Sequence, residues 1–303
     1  MKTISWPGAK RRGVEELLRW CPSGEIGAMC EPFWGTGALT MELLRMGRIS
    51  GPVFAAEANA PLRRWWQWLL SDVEAAVHLM GEWRKRCSLA ATVRDVYTER
   101  RAEWNAMQID DPNGADSSAL LWCLVYASTN NLARFNQKGE YNQTWGPGRK
   151  IPDPAQAFTP EIVGVLENLA GRLEMHDDFR GAMGAFFSHM DEGRPGVCYL
   201  DPPYVLQAGM YDANRWGIAD VNVLMGYLEG LEEHNAWWFY TDYLERNGEN
   251  HPYREALECR FYCEQVSLTN NARPTGSSVA SREMLICGSV VEEQCTQTQL
   301  SLE

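Results

Sequence analysis

A chain of 303 residues, 45% hydrophobic and 22% charged, has enough apolar material for a sizeable core, in one large domain or one domain plus an insert. No stretch approaches the unbroken apolar length that spans a bilayer, and the start MKTISWPGAKRR lacks the apolar segment of a secretory signal. The net charge of -12 has the wrong sign for a nucleic-acid binder, but it is unevenly spread: residues 1–150 carry 19 Lys and Arg against 16 Asp and Glu, and the rest carry 9 against 24. Local positive charge on one face, not the total, sets affinity for phosphates, so charge alone permits a nucleic-acid partner without arguing for one. Nine scattered cysteines, with no second close pair beside Cys259 and Cys263, read as reduced thiols of a cytoplasmic protein.

Residues 25–58 read as strand, glycine turn, helix and strand, in the pieces AMCEPF, WGTGA, LTMELLRMG and VFAAE. Residues 61–108, rich in Trp, Leu, Arg and Glu, read as helices. AMQIDDPNGADSS reads as a loop, LLWCLVYASTNNL as an apolar helix, and RFNQKGEYNQTWGPGRK as a β-hairpin or extended loop. EIVGVLENLAG is a helix leading into the short strand of RLEMHDDF. GVCYLDPPY is a buried strand ending in a rigid turn, and AWWFYTDY is a third. FYCEQVSLTNN and SREMLICG form a candidate antiparallel pair before a polar tail. Alternating strands and helices predict an open α/β sheet. Residues 61–175 read as an insertion that splits the sheet domain into 1–60 and 176–290, with 291–303 as the tail. Ligands are expected at the carboxyl ends of the strands, where EPFWGTG, HDDF and DPPY fall.

Three constellations carry chemistry. In Glu31-Pro32-Phe33-Trp34-Gly35-Thr36-Gly37 the two glycines let the backbone turn sharply and approach a ligand closely. Glu57 closes the next strand, where a carboxylate can accept two hydrogen bonds from a ribose diol. The same pieces also suit a tight turn with a surface glutamate. In Asp201-Pro202-Pro203-Tyr204 two prolines stiffen the turn and remove donors. The outward carbonyls and the carboxylate can grip an amino group that donates two hydrogens, and the tyrosine ring offers a flat face to a base. A proline-rich turn with a packing tyrosine fits those residues equally. Arg134, Asn136, Lys138 and Asn142 combine phosphate-binding and base-edge-reading side chains on a turn. An ordinary polar hairpin has the same composition.

In their order these pieces resemble the Dam-like (D12) class of DNA adenine N6-methyltransferases. A W-x-G-x-K start is matched by Trp6, Gly8 and Lys10, and an F-x-G-x-G loop by Phe33, Gly35 and Gly37. The recognition pattern is matched by Arg134, Asn136, Gly139, Tyr141 and Asn142, and a D-F pair before DPPY by Asp178-Phe179. Arg273 and Glu283-Met284-Leu285-Ile286 resemble the closing hairpin. Pro7, Ala9, Trp34, Thr144-Trp145 and Glu57, where the family usually has Asp, depart from the pattern without removing a required chemical group. The resemblance implies a Rossmann-like methyltransferase sheet with a helical and β-hairpin target-recognition insert. It implies S-adenosyl-L-methionine as methyl donor, contacted by Trp6, Lys10, Phe33, Gly35, Thr36, Gly37, Glu57, Asp178, Phe179 and Asp201. It further implies double-stranded DNA as the partner, with the target base flipped, Asp201, Pro202 and Tyr204 as catalytic residues, Arg134, Asn136, Lys138 and Asn142 on DNA, no metal, and a bacterial or phage-infected cell as the setting. From its residues alone, Asp178 could instead be a helix N-cap. An N4-cytosine methyltransferase, which usually has Ser in place of Asp201, an RNA methyltransferase and a non-catalytic DNA-binding relative are the alternatives.

Overall fold

Four short apolar runs become parallel neighbours: β1 (Ala28–Glu31), β2 (Val53–Ala56), β4 (Gly196–Leu200) and β5 (Trp237–Arg246). In this computed structural model, which describes residue 4 and residues 13–190, 196–204, 206, 216–246, 248–266 and 281–291, they pair in the order β2-β1-β4-β5. β3 (Leu173–His176) lies beyond β2. On the other side β8 (Ser281–Cys287) inserts antiparallel between β5 and β7 (Tyr262–Gln265), and the two-residue β6 (Glu249–Asn250) pairs with β5. This is the mostly parallel α/β sheet expected. The final pair is antiparallel as expected, but its second strand also pairs with β5, which pattern alone did not indicate.

Every residue of β1, β2 and β4 is buried, as in sheets covered on both faces. On one face Cys30, Phe54, Cys198, Leu200, Trp238 and Tyr240 pack against Met183 and Phe186 of α9 (Phe179–His189) and Leu224, Leu228 and Leu231 of α10 (Ile218–Glu233). Side chains two apart along a strand share a face, so Tyr199 and Thr241 lie on the other.

The described residues fall into two compact units. The sheet unit takes the described parts of 10–34, Met46–Ala56 and the described parts of 174–303, and includes α1 (Val14–Arg19) and α11 (Arg254–Arg260). The helical unit takes Gly35–Arg45 and Glu57–Leu173. It holds α2 (Ala38–Arg45), α3 (Ala60–Ser71), α4 (Val73–Arg86), α5 (Arg94–Asp110), α6 (Ala115–Ala127), α7 (Pro154–Ala157) and α8 (Pro160–Ala170). The insert thus gathers α2, placed by sequence with the sheet, because α2 packs on α8. α6 is buried from Ser117 to Ala127, as an all-round apolar helix requires. It begins and ends earlier than its apolar run, so the expected loop shrinks to four residues between α5 and α6. Helix starts follow their caps: the side chains of Asn59, Asp72 and Asp178 accept backbone N–H groups of α3, α4 and α9. No described helix is long and apolar enough to cross a membrane.

Gly51 sits where the chain enters β2, and a Cβ there would lie 1.7 Å from the Gly27 carbonyl oxygen just before β1. Gly51→Ala is therefore expected to destabilise by about 1–3 kcal/mol through overpacking. Gly24→Ala, with nothing within 4 Å of its Cβ, should leave the thermal midpoint unchanged. Equal midpoints for both variants would show that the Gly27–Gly51 approach carries no cost.

Candidate functional site

Because β1 and β4 are parallel neighbours, the residues that follow them emerge at one edge of the sheet. Phe33, two residues past β1, stacks on Phe179 at 5.4 Å between ring centroids. Trp216 meets both rings edge-on, at 5.3 Å and 5.6 Å. Two residues assigned by sequence to one ligand thus come together, with a tryptophan that no motif flagged. Asp178, just before Phe179, caps α9 by accepting the Arg180 N–H at 2.8 Å and pairs with the Arg180 guanidinium at 3.0 Å. Arg180 in turn reaches Asp220 at 2.7 Å and lies over the Phe179 ring. The capping role open in the sequence is therefore present. Trp6, Lys10 and Arg273 lie outside the described residues.

The DPPY turn follows β4. Leu200 pairs with Tyr240, so continuing the register sets Asp201 beside Thr241. The Thr241 hydroxyl donates to Asp201 Oδ1 at 2.9 Å, and the Tyr199 hydroxyl lies 3.4 Å behind it. With Thr241 donating forward, Tyr199 donates to Thr241, and the carboxylate is held by a two-hydroxyl relay. Thr241 and Tyr199 are buried while Asp201 is half-buried. Burial, and then the Asp201 charge, push the Tyr199 hydroxyl well above its usual range, which keeps it a donor.

Tyr204 is 7% exposed. Its hydroxyl donates to Glu283 Oε1 at 2.6 Å, and its ring meets Tyr243 edge-on at 4.8 Å. Burial, followed by the charges of Asp201 and Glu283, raises its pKa well above the usual value. The sequence reading gave this residue a ring and no use for its hydroxyl. The structure gives the hydroxyl a buried carboxylate partner 79 residues away, a pairing invisible to local pattern.

In the helical unit the glycine turn is pinned from both sides. The Gly35 N–H donates to Glu57 Oε2 at 3.1 Å, and the Gly35 carbonyl accepts the Trp66 indole N–H at 3.0 Å. Gly35 and Gly37 adopt φ of 49° and 55°, a region that side chains other than glycine rarely enter. Thr36 between them is buried. Glu57 Oε1 also accepts the Asn59 N–H at 2.7 Å. Burial raises the Glu57 carboxyl from 4.5 to about 7, against the lowering effect of those two backbone donors and of Arg63. Glu57 is thus a buried turn-organising carboxylate, not the surface glutamate that the sequence left open.

The segment 134–142 forms a hairpin held by a Phe135–Tyr141 bridge and a hydrogen bond from the Asn142 N–H to the Arg134 carbonyl. Asn105 on α5 clamps the Tyr141 backbone through both groups of its amide, at 2.8 Å and 3.3 Å. Asn136, expected to read a base edge, is engaged within the turn. Its Oδ1 accepts the Lys138 and Glu140 N–H groups, and its Nδ2 donates to Glu140 at 2.6 Å. The amide is spent on building the tip, because a short polar side chain satisfies nearby turn donors first. Arg134 and Lys138 are exposed and have no ion pair among the described residues.

The chain matches the model of the D12 class N6 adenine-specific DNA methyltransferases over residues 6–254. It belongs to that family. The modification methylase StsI of Streptococcus sanguinis is 24% identical over 230 residues, which is 72% of this chain and 32% of that protein. The DNA adenine methylase of Vibrio cholerae is 27% identical over 203 residues, covering 66% of this chain and 64% of that protein. The chain thus spans about a third of the first relative and under two thirds of the second. An rRNA methyltransferase, aviRa of Streptomyces viridochromogenes, superposes with a TM-score of 0.35 at 13% identity, covering 96% of this chain and 90% of that one.

A carboxyl group whose pKa rises on folding favours the folded state when protonated. Its stabilising contribution is full below the unfolded value and lost as pH rises through the folded one. For Glu57 that window runs from 4.5 to about 7. Glu57→Gln cannot ionise, so its thermal midpoint relative to wild type should climb as pH is raised from about 5 to about 8. A midpoint difference independent of pH would mean that Glu57 ionises at its ordinary value.

Proposed function

We propose that this chain transfers a methyl group from S-adenosylmethionine to the N6 amine of adenine in DNA. The observation that carries the reading is the Asp201 carboxylate, held at 2.9 Å by the Thr241 hydroxyl at the carboxyl end of β4, in a chain of the D12 class. S-adenosylmethionine, when bound, supplies an electrophilic methyl group on a sulfonium. The residues present fit such a group. Gly35 and Gly37, either side of buried Thr36, carry no side chain, and buried Glu57 offers oxygens suited to a ribose diol. Phe33 and Phe179 provide aromatic surface for a nucleoside.

The amine of a stacked, paired adenine is out of reach, so the base is flipped from the duplex. Asp201 and the Pro202 carbonyl accept its two N6 hydrogens, which localises the nitrogen lone pair along one direction. This is positioning more than a change of basicity. The amine proton leaves afterwards to solvent or through Asp201. Tyr204 supplies the ring beside the base, and Glu283 and Tyr243 fix that ring in place. Arg134, Lys138 and Asn142 on the hairpin face the nucleic acid, with Asn136 shaping their turn.

Incubating the purified protein with duplex DNA and methyl-labelled S-adenosylmethionine, followed by nucleoside analysis, should yield N6-methyladenine. N4-methylcytosine, or label in RNA alone, would replace the reading. Asp201→Ala should nearly abolish transfer while the fold is kept, since it removes an acceptor used most at the transition state. Turnover within a few-fold of wild type would reject that role.

Thr241 acts through Asp201 and is a positioning residue. Thr241→Val should lower kcat roughly tenfold with little change in KM, the scale of one hydrogen bond to a charged group. Thr241→Ser should restore most of the rate. A serine variant as slow as the valine variant would show that the hydroxyl does not matter.

A further inference from the structure

The Phe179 ring, offered above to a nucleoside, is covered by the chain's own side chains. It is 6% exposed. Phe33 stacks on it, Trp216 and Tyr227 meet it edge-on, and the Arg180 guanidinium carbon lies 4.5 Å from its centroid. A base reaches the ring only where one of these covers withdraws. Phe33, Trp216 and Tyr227 pack against the core of the sheet unit, and moving them would bare apolar surface to water. Arg180 is different. Its side chain is 40% exposed, and its charged head can exchange its partners for water.

The same guanidinium engages Asp178. Its Nη1 meets Asp178 Oδ2 at 3.0 Å and Oδ1 at 3.3 Å, and its Nη2 meets Asp220 Oδ1 at 2.7 Å. One side chain therefore takes two adjacent groups assigned to the cofactor, the carboxylate by an ion pair and the ring by a cation–π contact. A guanidinium is planar, carries N–H donors on its edge and stacks on aromatic faces. An adenine is also planar, carries an amino donor on its edge and stacks. The two are alternative occupants of one carboxylate and one ring. Asp220, in the first turn of α10, is the partner that Arg180 keeps when it gives up Asp178.

We infer that Arg180 is an internal competitor of the cofactor: its guanidinium and the adenine of the cofactor take Asp178 and Phe179 by turns. The inference rests on the reading of the chain as an S-adenosylmethionine-dependent enzyme. Entry of the adenine displaces the guanidinium from ring and carboxylate and leaves it on Asp220. Cofactor affinity is thereby held below what the pocket's own contacts give, by one half-exposed ion pair and one cation–π contact. Both are modest at exposed positions. The demethylated product carries the same adenine, so the returning guanidinium also assists its release.

Titration calorimetry with S-adenosylhomocysteine tests this without turnover. The probe lacks the sulfonium charge, so a changed net charge at the site acts on it weakly. Arg180→Gln is expected to bind it roughly three- to tenfold more tightly than wild type. Arg260→Gln is the matched control, because Arg260 also pairs with a carboxylate, Glu229, and lies over a phenylalanine ring, Phe261. Its affinity should equal that of wild type. Salt screens ion pairs, so raising it from about 0.05 M to about 0.5 M should tighten binding to wild type and leave Arg180→Gln flat. A folded Arg180→Gln that binds no more tightly than wild type overturns the inference, and so does an equal gain in Arg260→Gln. If Arg180→Gln does not fold, the salt response of wild type decides, and an affinity that is flat or falls with salt overturns the inference. A wild-type protein that binds no S-adenosylhomocysteine overturns the underlying reading. One that binds it with an affinity indifferent to Arg180 overturns the competitor alone.

Discussion

Parallel pairing of β4 between β1 and β5 is the constraint on which the rest depends. It brings the turn after Glu31 and the turn after Leu200 to one edge of the sheet, although about 170 residues separate them in the chain. Parallel strands need long crossovers, and here one crossover contains nearly the whole helical unit. The length of the insert is thus compatible with the sheet, whose register is set by buried runs on both faces. A one-residue slip of β4 against β5 would carry Asp201 away from Thr241 and turn Cys198 and Leu200 out of the core.

Carboxylates along that edge share a physical solution. Burial penalises such charges, and short-range donors meet them. Asp201 takes the Thr241 hydroxyl, Glu283 takes the Tyr204 hydroxyl, and buried Asp242 takes the Tyr240 hydroxyl at 2.5 Å and the Tyr243 N–H at 2.6 Å. Hydroxyl donors hold a carboxylate in orientation while leaving its charge uncancelled. A guanidinium partner would fix it as firmly but quench its capacity to accept from an amine. In the helical unit Glu57 is met by backbone donors, but burial outweighs them and raises its pKa to about 7.

The hairpin shows a different economy. Its tip is shaped by its own Asn136, its stem by Asn105 and by the packing of Phe135, Tyr141 and Trp104. Internal satisfaction of the turn frees the exposed cations from structural duty, since Arg134 and Lys138 take no part in holding it.

Local pattern sufficed for the types of the strands and helices it read, the glycine turn and the proline turn, while α1, α10 and α11 went unread and both ends of α6 moved by five residues. Each of these is decided by neighbours within one or two turns of chain: apolar runs, φ-permissive glycines, caps such as Asn59 and Asp178. The order of the motifs sufficed for the family. Partners were another matter. Thr241 beside Asp201, Glu283 beside Tyr204 and Trp216 against Phe33 are contacts across 40 to 183 residues, and no periodicity records them. Asn136 has an amide suited to a base edge, and the sequence did not show that the turn engages that same amide. Register and packing choose which donors meet which acceptors, and that choice exists after the strands have paired and not before.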